Sequence, residues 1–307
     1  MRTDRFATLL VLLFIFSHQL VPARGASNPA VQRKNLAAVI PSRPARALTG
    51  SQFAEFILQM ESSQRELFIR NEILNGNIPD FLRKLVPVTL RYALPGGRPI
   101  SATIFVTPDY LSIGSDSDFL RIPMNLYTAE SVASRFGFIL PTKKMVDAIY
   151  AQSLYHLVPQ PMSAGPQMRS TAYYRTHNQM IQEQVQARGI PSGKLISGHK
   201  KDVVVTNLLA RNEGRIAIYG WHRGLGDPIQ PLSTVHGAFY ADYSHGIRLI
   251  SDIVLIDGKR QSIYDLLRDP ILANVLSSEG PIPNPWGFAS TSQEAQTTAL
   301  SSLVIDE

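Results

Sequence analysis

The chain has 307 residues, a formal net charge of +6 at pH 7 and no cysteine. Without cysteine it can form no disulfide and has no thiol nucleophile, so a hydrophobic core must stabilise it and other side chains must supply its chemistry. The mild positive charge is not arranged as a basic stripe between aromatic residues, and we therefore expect no nucleic-acid partner.

The first 25 residues have the pattern of a signal peptide. Arg2 and Arg5 precede an apolar run over 7–16, and small residues at 23 and 25 fit a cleavage site. The run is too short for a permanent membrane span, and no other segment has eighteen consecutive apolar residues. We therefore expect a secreted or periplasmic protein with no stable membrane span after signal removal.

The N-terminal part of the mature chain predicts helices and a β-hairpin. Residues 26–48 have weak periodicity with Pro, Ala and Arg, which is typical of a linker or arm. Residues 49–156 form the predicted N-terminal α+β part. It begins with a helix over about 52–74, and two strands around the Pro-Gly-Gly turn at 95–97 follow.

The C-terminal part changes from helix to strand. Residues 157–170 are rich in Pro, Ser, Gly and Met and form a predicted loop. Residues 171–280, the second α+β part, begin with a polar helix and continue with strands, of which the longest is predicted over 247–256. Residues 281–307 are Pro-rich and then Ser/Thr-rich, which predicts a flexible tail.

Helices and strands mix without a βαβ rhythm, so the predicted class is α+β. We expect N-terminal helices with a β-hairpin region and a C-terminal mixed or antiparallel sheet that holds a histidine-rich site.

Four of the seven histidines fall between His199 and His245. Imidazole is the side chain best suited to moving a proton or binding a metal near neutral pH, and each of the four lies near a predicted strand end or a glycine. We therefore expect one cleft that contains them. The predicted catalytic residues are His199, Asp202, His222, His236, Tyr240, Asp242 and His245. The predicted substrate-binding residues are Tyr219, Trp221, Tyr243, Ser244 and Arg248.

Two chemistries fit these residues, and both stay open. In the first, His199, His222 and His236 bind zinc, which activates a water molecule. In the second, no metal takes part, and Asp242 holds a neighbouring histidine that acts as an acid or base while a tyrosine assists. A Ser244 nucleophile is the less favoured variant, because Ser244 and His245 would point to opposite faces of a strand.

Neighbouring side chains have structural alternatives. Tyr219 and Trp221 could stack on sugar rings or pack in the core, and we weigh the two equally. Lys200 and Lys201 are more expected than Arg248 to face solvent at the edge of the sheet.

The function that these residues predict is that of an exported hydrolase of a cell-envelope or extracellular polymer, either polysaccharide or peptidoglycan. The alternatives are an exported glycan-binding module without catalysis and a zinc-dependent peptidase. The substrate and the cofactor, with zinc as the candidate, are left open.

Overall fold

The computed structural model describes residues 40–285. The predicted signal peptide, most of the predicted arm and nearly all of the predicted tail lie outside these residues. The helices are α1 (Gly50–Phe56), α2 (Ser62–Leu74), α3 (Leu126–Arg135), α4 (Lys143–Gln152), α5 (Thr171–Ala187), α6 (Ile263–Arg268) and α7 (Ala273–Leu276).

The strands are β1 (Val86–Ala93), β2 (Pro99–Val106), β3 (Ser112–Gly114), β4 (Phe119–Arg121), β5 (Phe138–Ile139), β6 (Tyr155–His156), β7 (Ile196–Ser197), β8 (Lys201–Val203), β9 (Ile218–Gly224), β10 (Asp227–Ser233), β11 (His245–Gly246), β12 (Ile250–Ser251), β13 (Ile253–Ile256) and β14 (Lys259–Ser262). Helices dominate the N-terminal part and strands the C-terminal part, which confirms the α+β class. Among residues 40–285, no helix is both long enough and apolar enough to cross a membrane.

The central sheet is antiparallel and has the order β14-β13-β2-β12-β5, with β1 on β2. Strands β1 and β2 form the predicted hairpin, in register from Val86↔Val106 to Ala93↔Pro99. Gly96 and Gly97 have φ of 90° and 83° in its turn, a conformation that favours glycine. The sheet takes strands from both sides of residues 157–170. One cluster of buried apolar side chains extends from the start of the described chain to its end.

The second sheet is mixed and has the order β10-β9-β8-β11. The β11–β8 pair is parallel, and the β8–β9 and β9–β10 pairs are antiparallel. This sheet contains His222 and His245 together with Lys201 and Asp202, so most of the predicted site chemistry is on its strands or directly beside them.

The predicted helix over 52–74 is wrong as one element, because two helices, α1 and α2, occupy it. The carbonyl oxygen of Ile57, which a continuous helix would use internally, accepts a hydrogen bond from the hydroxyl of Thr171 at 3.2 Å. The Ile57 side chain is fully buried in the core at this break. Long-range packing therefore overrides the local helical pattern.

The predicted strand over 247–256 is likewise divided, into β12 and β13. At the break, the Asp252 N–H donates to the carbonyl of Gly137, and the Asp252 carbonyl accepts from Ile263. The N–H of Asp252 therefore continues the pairing of β12 with β5, and its carbonyl begins the pairing of β13 with β14. The two short strands also pair with β2 at different places.

Strand β9 has a bend that sets the direction of the site side chains. Gly220 has φ 109° and Trp221 has φ 57°, which is rare for a residue with a side chain. Trp221 consequently enters the main core near Tyr243. Tyr219 and His222 instead lie together against α4, with ring centroids 5.5 Å apart.

Candidate functional site

The four clustered histidines distribute over three carboxylates. His199 pairs with Asp109, since its Nε2 lies 3.0 Å from Asp109 Oδ1. In the second pair, His222 Nε2 lies 3.3 Å from Asp147 Oδ1. His236 and His245 lie together near Asp242, with their ring centroids 6.4 Å apart. The structure therefore divides the four histidines, which were expected in one cleft, among three groups.

We name the third group the 236–245 cluster, and it contains His236, Tyr240, Asp242, Ser244 and His245. The Tyr240 hydroxyl donates to Asp242 Oδ2 at 3.1 Å, and the Ser244 N–H donates to Asp242 Oδ1 at 2.8 Å. His245 Nε2 lies 4.0 Å from Asp242 Oδ2. The His236 ring stacks on Tyr240 with a centroid distance of 4.0 Å. Predicted site residues thus form one connected group.

His245 is the least satisfied side chain of this cluster. It is fully buried, and neither ring nitrogen has a hydrogen-bond partner in the described chain. Burying a polar group without a partner costs on the order of 1–3 kcal/mol, so such a group in a native fold calls for an explanation, of which a catalytic role is one. His236 and Tyr240, the neighbouring rings, are only partly buried. The cluster therefore has an unsatisfied interior and an accessible side.

Burial fixes the protonation states in the cluster. It lowers the pKa of His245 to about 4, and it also lowers the pKa of His236. Burial would raise the pKa of Asp242, but His245 in its protonated form, the Ser244 hydrogen bonds and Lys201 together lower it. Burial and Asp242 raise the pKa of Tyr240 to about 12. At neutral pH the cluster thus holds two neutral imidazoles beside an ionised carboxylate.

Two cations lie near the cluster. Lys201 pairs with His245 in the β8–β11 register, and its Nζ lies 5.1 Å from the centre of the Trp221 ring. The guanidinium of Arg169 lies over Tyr240 at 5.4 Å. Burial lowers the pKa of Lys201. These groups can stabilise negative charge that develops on a substrate.

The close approach of β11 to β8 depends on Gly246. A Cβ atom at this position would lie 2.6 Å from Cδ1 of Tyr110 and 2.8 Å from Cβ of Lys200. The absence of a side chain therefore allows the parallel pairing that places His245 beside Lys201.

The His199 group is a buried ion pair. Asp109 Oδ2 lies 2.6 Å from Nη2 of Arg121, and all three side chains are at most 4% exposed. Burial lowers the pKa of His199 to about 4. Asp109 and Arg121 line a groove of about 1070 Å³ along α5, but each neutralises the charge of the other. We therefore assign the His199 group to stability.

Asp202 and Arg248 belong to the buried base of the second sheet. The Tyr110 hydroxyl donates to Asp202 Oδ2 at 2.8 Å, and Arg248 Nε lies 3.9 Å from Asp202 Oδ1. Arg248 also donates to the carbonyls of Thr107 and Ile196. Burial raises the pKa of Asp202 to about 6. Arg248 is therefore occupied by structural contacts.

The expectation of a solvated edge is wrong for Lys200, which is 1% exposed. Its ammonium donates to the carbonyl of Tyr243, which provides a partner inside the fold. Burial lowers its pKa to about 7. Lys201 is half-buried.

The two remaining aromatic candidates, Trp221 and Tyr243, pack mainly in the core. Trp221 is 4% exposed, and its ring centroid lies 6.3 Å from those of both Tyr243 and His177. The Tyr243 hydroxyl accepts a hydrogen bond from the Met162 N–H at 2.7 Å. Of the two weighed alternatives, core packing therefore describes Trp221.

The His222 group lies at a pocket beside α4. Asp147 Oδ1 accepts from the Tyr219 hydroxyl at 2.6 Å, and Asp147 Oδ2 from Lys143 Nζ at 2.8 Å. The His222 ring stacks on Tyr150 with a centroid distance of 4.6 Å. Burial opposes ionisation of Asp147, but hydrogen bonds from His222, Lys143 and Tyr219 lower its pKa to about 2.

Sequence reasoning missed the carboxylates Asp109 and Asp147, which pair with His199 and His222. A usable signal existed on α4, where Lys143, Asp147 and Tyr150 are spaced four and three residues apart and so share a helix face. No comparable local signal joins Asp109 to His199, which lies 90 residues away.

The three predicted zinc ligands lie in different groups. Among residues 40–285, no group of three or more His, Cys, Asp or Glu side chains is placed to hold a metal ion. His199, His222 and His236 each contact different partners, namely Asp109, Asp147 and Tyr240. Comparisons with family models, curated proteins and solved structures found no match.

Proposed function

We propose that the protein is an exported hydrolase of a cell-envelope or extracellular polymer, either polysaccharide or peptidoglycan. The proposed active site is the 236–245 cluster with Lys201. The observation that carries this proposal is His245, a fully buried imidazole with two unpartnered nitrogens beside an ionised carboxylate. A proton acceptor of this kind is what acid–base hydrolysis requires.

His245 is the proposed general base. Its imidazole is neutral at pH 7 and can accept a proton from water, although burial lowers its pKa to about 4 and so makes it a weaker base than an ordinary histidine. Asp242, 4.0 Å from Nε2, would stabilise the imidazolium that forms, and such contacts often tighten when substrate binds.

Lys201 and the stacked His236–Tyr240 pair have the remaining proposed roles. If the bond is an amide, the Lys201 ammonium stabilises the negative charge that develops on the carbonyl oxygen. If the bond is glycosidic, it donates a proton to the departing oxygen while His245 takes one from water. The partly buried His236 and Tyr240 are the more accessible rings of the cluster, so they are proposed to meet a substrate first. Tyr240 is fixed by its hydrogen bond to Asp242, and His236 is positioned by stacking on Tyr240.

The export part of the proposal rests on the sequence of residues 1–25. The acid–base mechanism is favoured over a zinc peptidase because the described histidines have separate partners. The glycan-binding module differs from the hydrolase in one observable, since it binds polymer and releases no product.

The experiment is digestion of purified peptidoglycan and of neutral and acidic polysaccharides by the mature protein. Soluble reducing ends and free amines are measured over time. We expect product from one polymer class and a loss of at least about 100-fold in rate for Asp242→Asn, which removes the stabilising charge. Asp80→Asn, at a surface ion pair remote from the cluster in sequence, is the matched control. Polymer binding without product from any class would contradict the hydrolase and support the binding module.

A further inference from the structure

A pocket of about 470 Å³ lies between α4 and the β9–β10 hairpin, and no residue of the 236–245 cluster lines it. The size falls within the range of small-molecule sites. One side is polar and includes Lys143, Asp147 and Tyr219, and the other is apolar and includes Leu225 and Leu232.

The polar side is rigidly held. Asp147 accepts hydrogen bonds from Tyr219, His222 and Lys143, and its carboxylate is 37% exposed. A carboxylate offers about four acceptor positions and an ammonium three donors, so Asp147 and Lys143 can each make further hydrogen bonds. A ligand hydroxyl group can donate to Asp147 while a neighbouring one accepts from Lys143.

The charges at this pocket are balanced. Lys143 and Asp147 form an ion pair at 2.8 Å, and on the adjoining hairpin Arg223 and Asp227 form another at 2.9 Å. A charged ligand would have to displace one partner and leave the other without compensation. The pocket therefore favours a neutral ligand with several hydroxyl groups.

The apolar wall fits the other surface of such a ligand. Leu225 is 75% exposed, and Pro228 and Leu232 are partly exposed in the same wall. A pyranose ring presents C–H groups on its faces and hydroxyl groups on its edge, and apolar walls favour contact with those C–H groups.

We propose that this pocket binds a neutral sugar unit, with the hydroxyl edge on Asp147 and Lys143 and a ring face on the leucine and proline wall. This proposal does not depend on the proposed hydrolase, because sugar binding to the pocket is measured without any product being released. Sugar binding by a protein that hydrolyses nothing would leave this proposal standing and count against the proposed hydrolase.

The test is a binding titration with four matched sugars. Glucose and N-acetylglucosamine are neutral, glucosamine is a cation and glucuronate is an anion. Binding is followed by amide chemical shifts of the full mature protein. We expect millimolar binding of at least one neutral sugar, with shifts confined to α4 and the β9–β10 hairpin. The charged analogues should bind about 10-fold more weakly.

Two variants locate the site. Asp147→Asn should weaken neutral-sugar binding about 10-fold, because an amide replaces the charged acceptor. Leu225→Ala, at an exposed position where folding is not at risk, should weaken it several-fold by removing the wall. Asp252→Asn, outside the pocket, is the control for unchanged affinity. No neutral-sugar binding, preferred binding of a charged analogue, or affinity unchanged in both pocket variants would overturn the proposal.

Discussion

At the scale of single residues, the 236–245 cluster differs from the other two His–Asp pairs in the hydrogen bonding of its buried histidine. In the His199 and His222 pairs, a ring nitrogen lies 3.0 and 3.3 Å from a carboxylate oxygen. His245 has no hydrogen-bond partner at either nitrogen in the described chain. A catalytic role is one explanation of the free energy cost of burying it in this state, a cost that His177 in the core also carries.

The lowered pKa of His245 gives a prediction for the pH dependence of hydrolysis. A general base works in its deprotonated form, so the rate falls as pH drops through the pKa of the base. With this pKa lowered to about 4, activity should persist at pH 5 and its acid limb should lie well below the ordinary histidine value of 6.5. The measurement is kcat/KM from pH 4 to pH 8 on the best polymer. An acid limb centred at or above 6.5 would contradict the assignment.

At the scale of elements, the position of the cluster depends on the two-residue strand β11. Its parallel pairing with β8 places His245 opposite Lys201 and Gly246 opposite Asp202. The ring of Tyr110 occupies the space where a side chain at 246 would lie.

Gly246→Ala should destabilise the fold by about 1–3 kcal/mol, because the added methyl group would overlap Tyr110 and Lys200. The free energy of unfolding in urea measures this effect. Gly224→Ala, at the end of β9 where no heavy atom lies within 4 Å, should stay within about 0.5 kcal/mol of the parent. Equal effects of the two substitutions would show that β11 tolerates a wider separation from β8.

The elements also show how far sequence reasoning extends. The β1–β2 hairpin was predictable because its Pro-Gly-Gly turn and its flanking strands are adjacent in the chain. The break between α1 and α2 was not, because it depends on Thr171, which lies 114 residues from Ile57. The 236–245 cluster was likewise predictable, because its residues are close together in the chain. The pairing of His222 with Asp147 was not, because Asp147 lies on α4, 75 residues away.

At the scale of the whole molecule, three histidines are buried in forms that resist protonation. Burial lowers the pKa of His177, His199 and His245. The unfolded chain binds protons at these positions below about pH 6.5 and the folded chain does not, so stability falls as pH drops from 6.5 towards 4. Asp202, whose pKa burial raises to about 6, acts in the opposite direction over part of this range.

His177→Phe should reduce this loss of stability in acid. His177 is fully buried against Trp221 and Tyr243, and neither of its nitrogens has a hydrogen-bond partner in the described chain. Relative to the parent, the free energy of unfolding of the variant should be higher by about 2 kcal/mol more at pH 5 than at pH 7. The reason is that pH 5 lies about 1.5 units below the ordinary histidine pKa of about 6.5. Urea unfolding at both pH values measures the gain. If the free energy of unfolding differed from that of the parent by the same amount at pH 5 and pH 7, His177 would take up its proton as readily in the folded chain as in the unfolded chain.

The central claim, that the 236–245 cluster performs hydrolysis, is tested most directly by the rate of product release from the best polymer with His245→Asn. The variant keeps a polar side chain but removes the base. We predict a folded protein, checked by circular dichroism, whose rate falls at least about 100-fold. His156→Asn, at an exposed position of β6, should retain the parent rate. A folded His245→Asn protein that releases product at the rate of the parent would contradict the account.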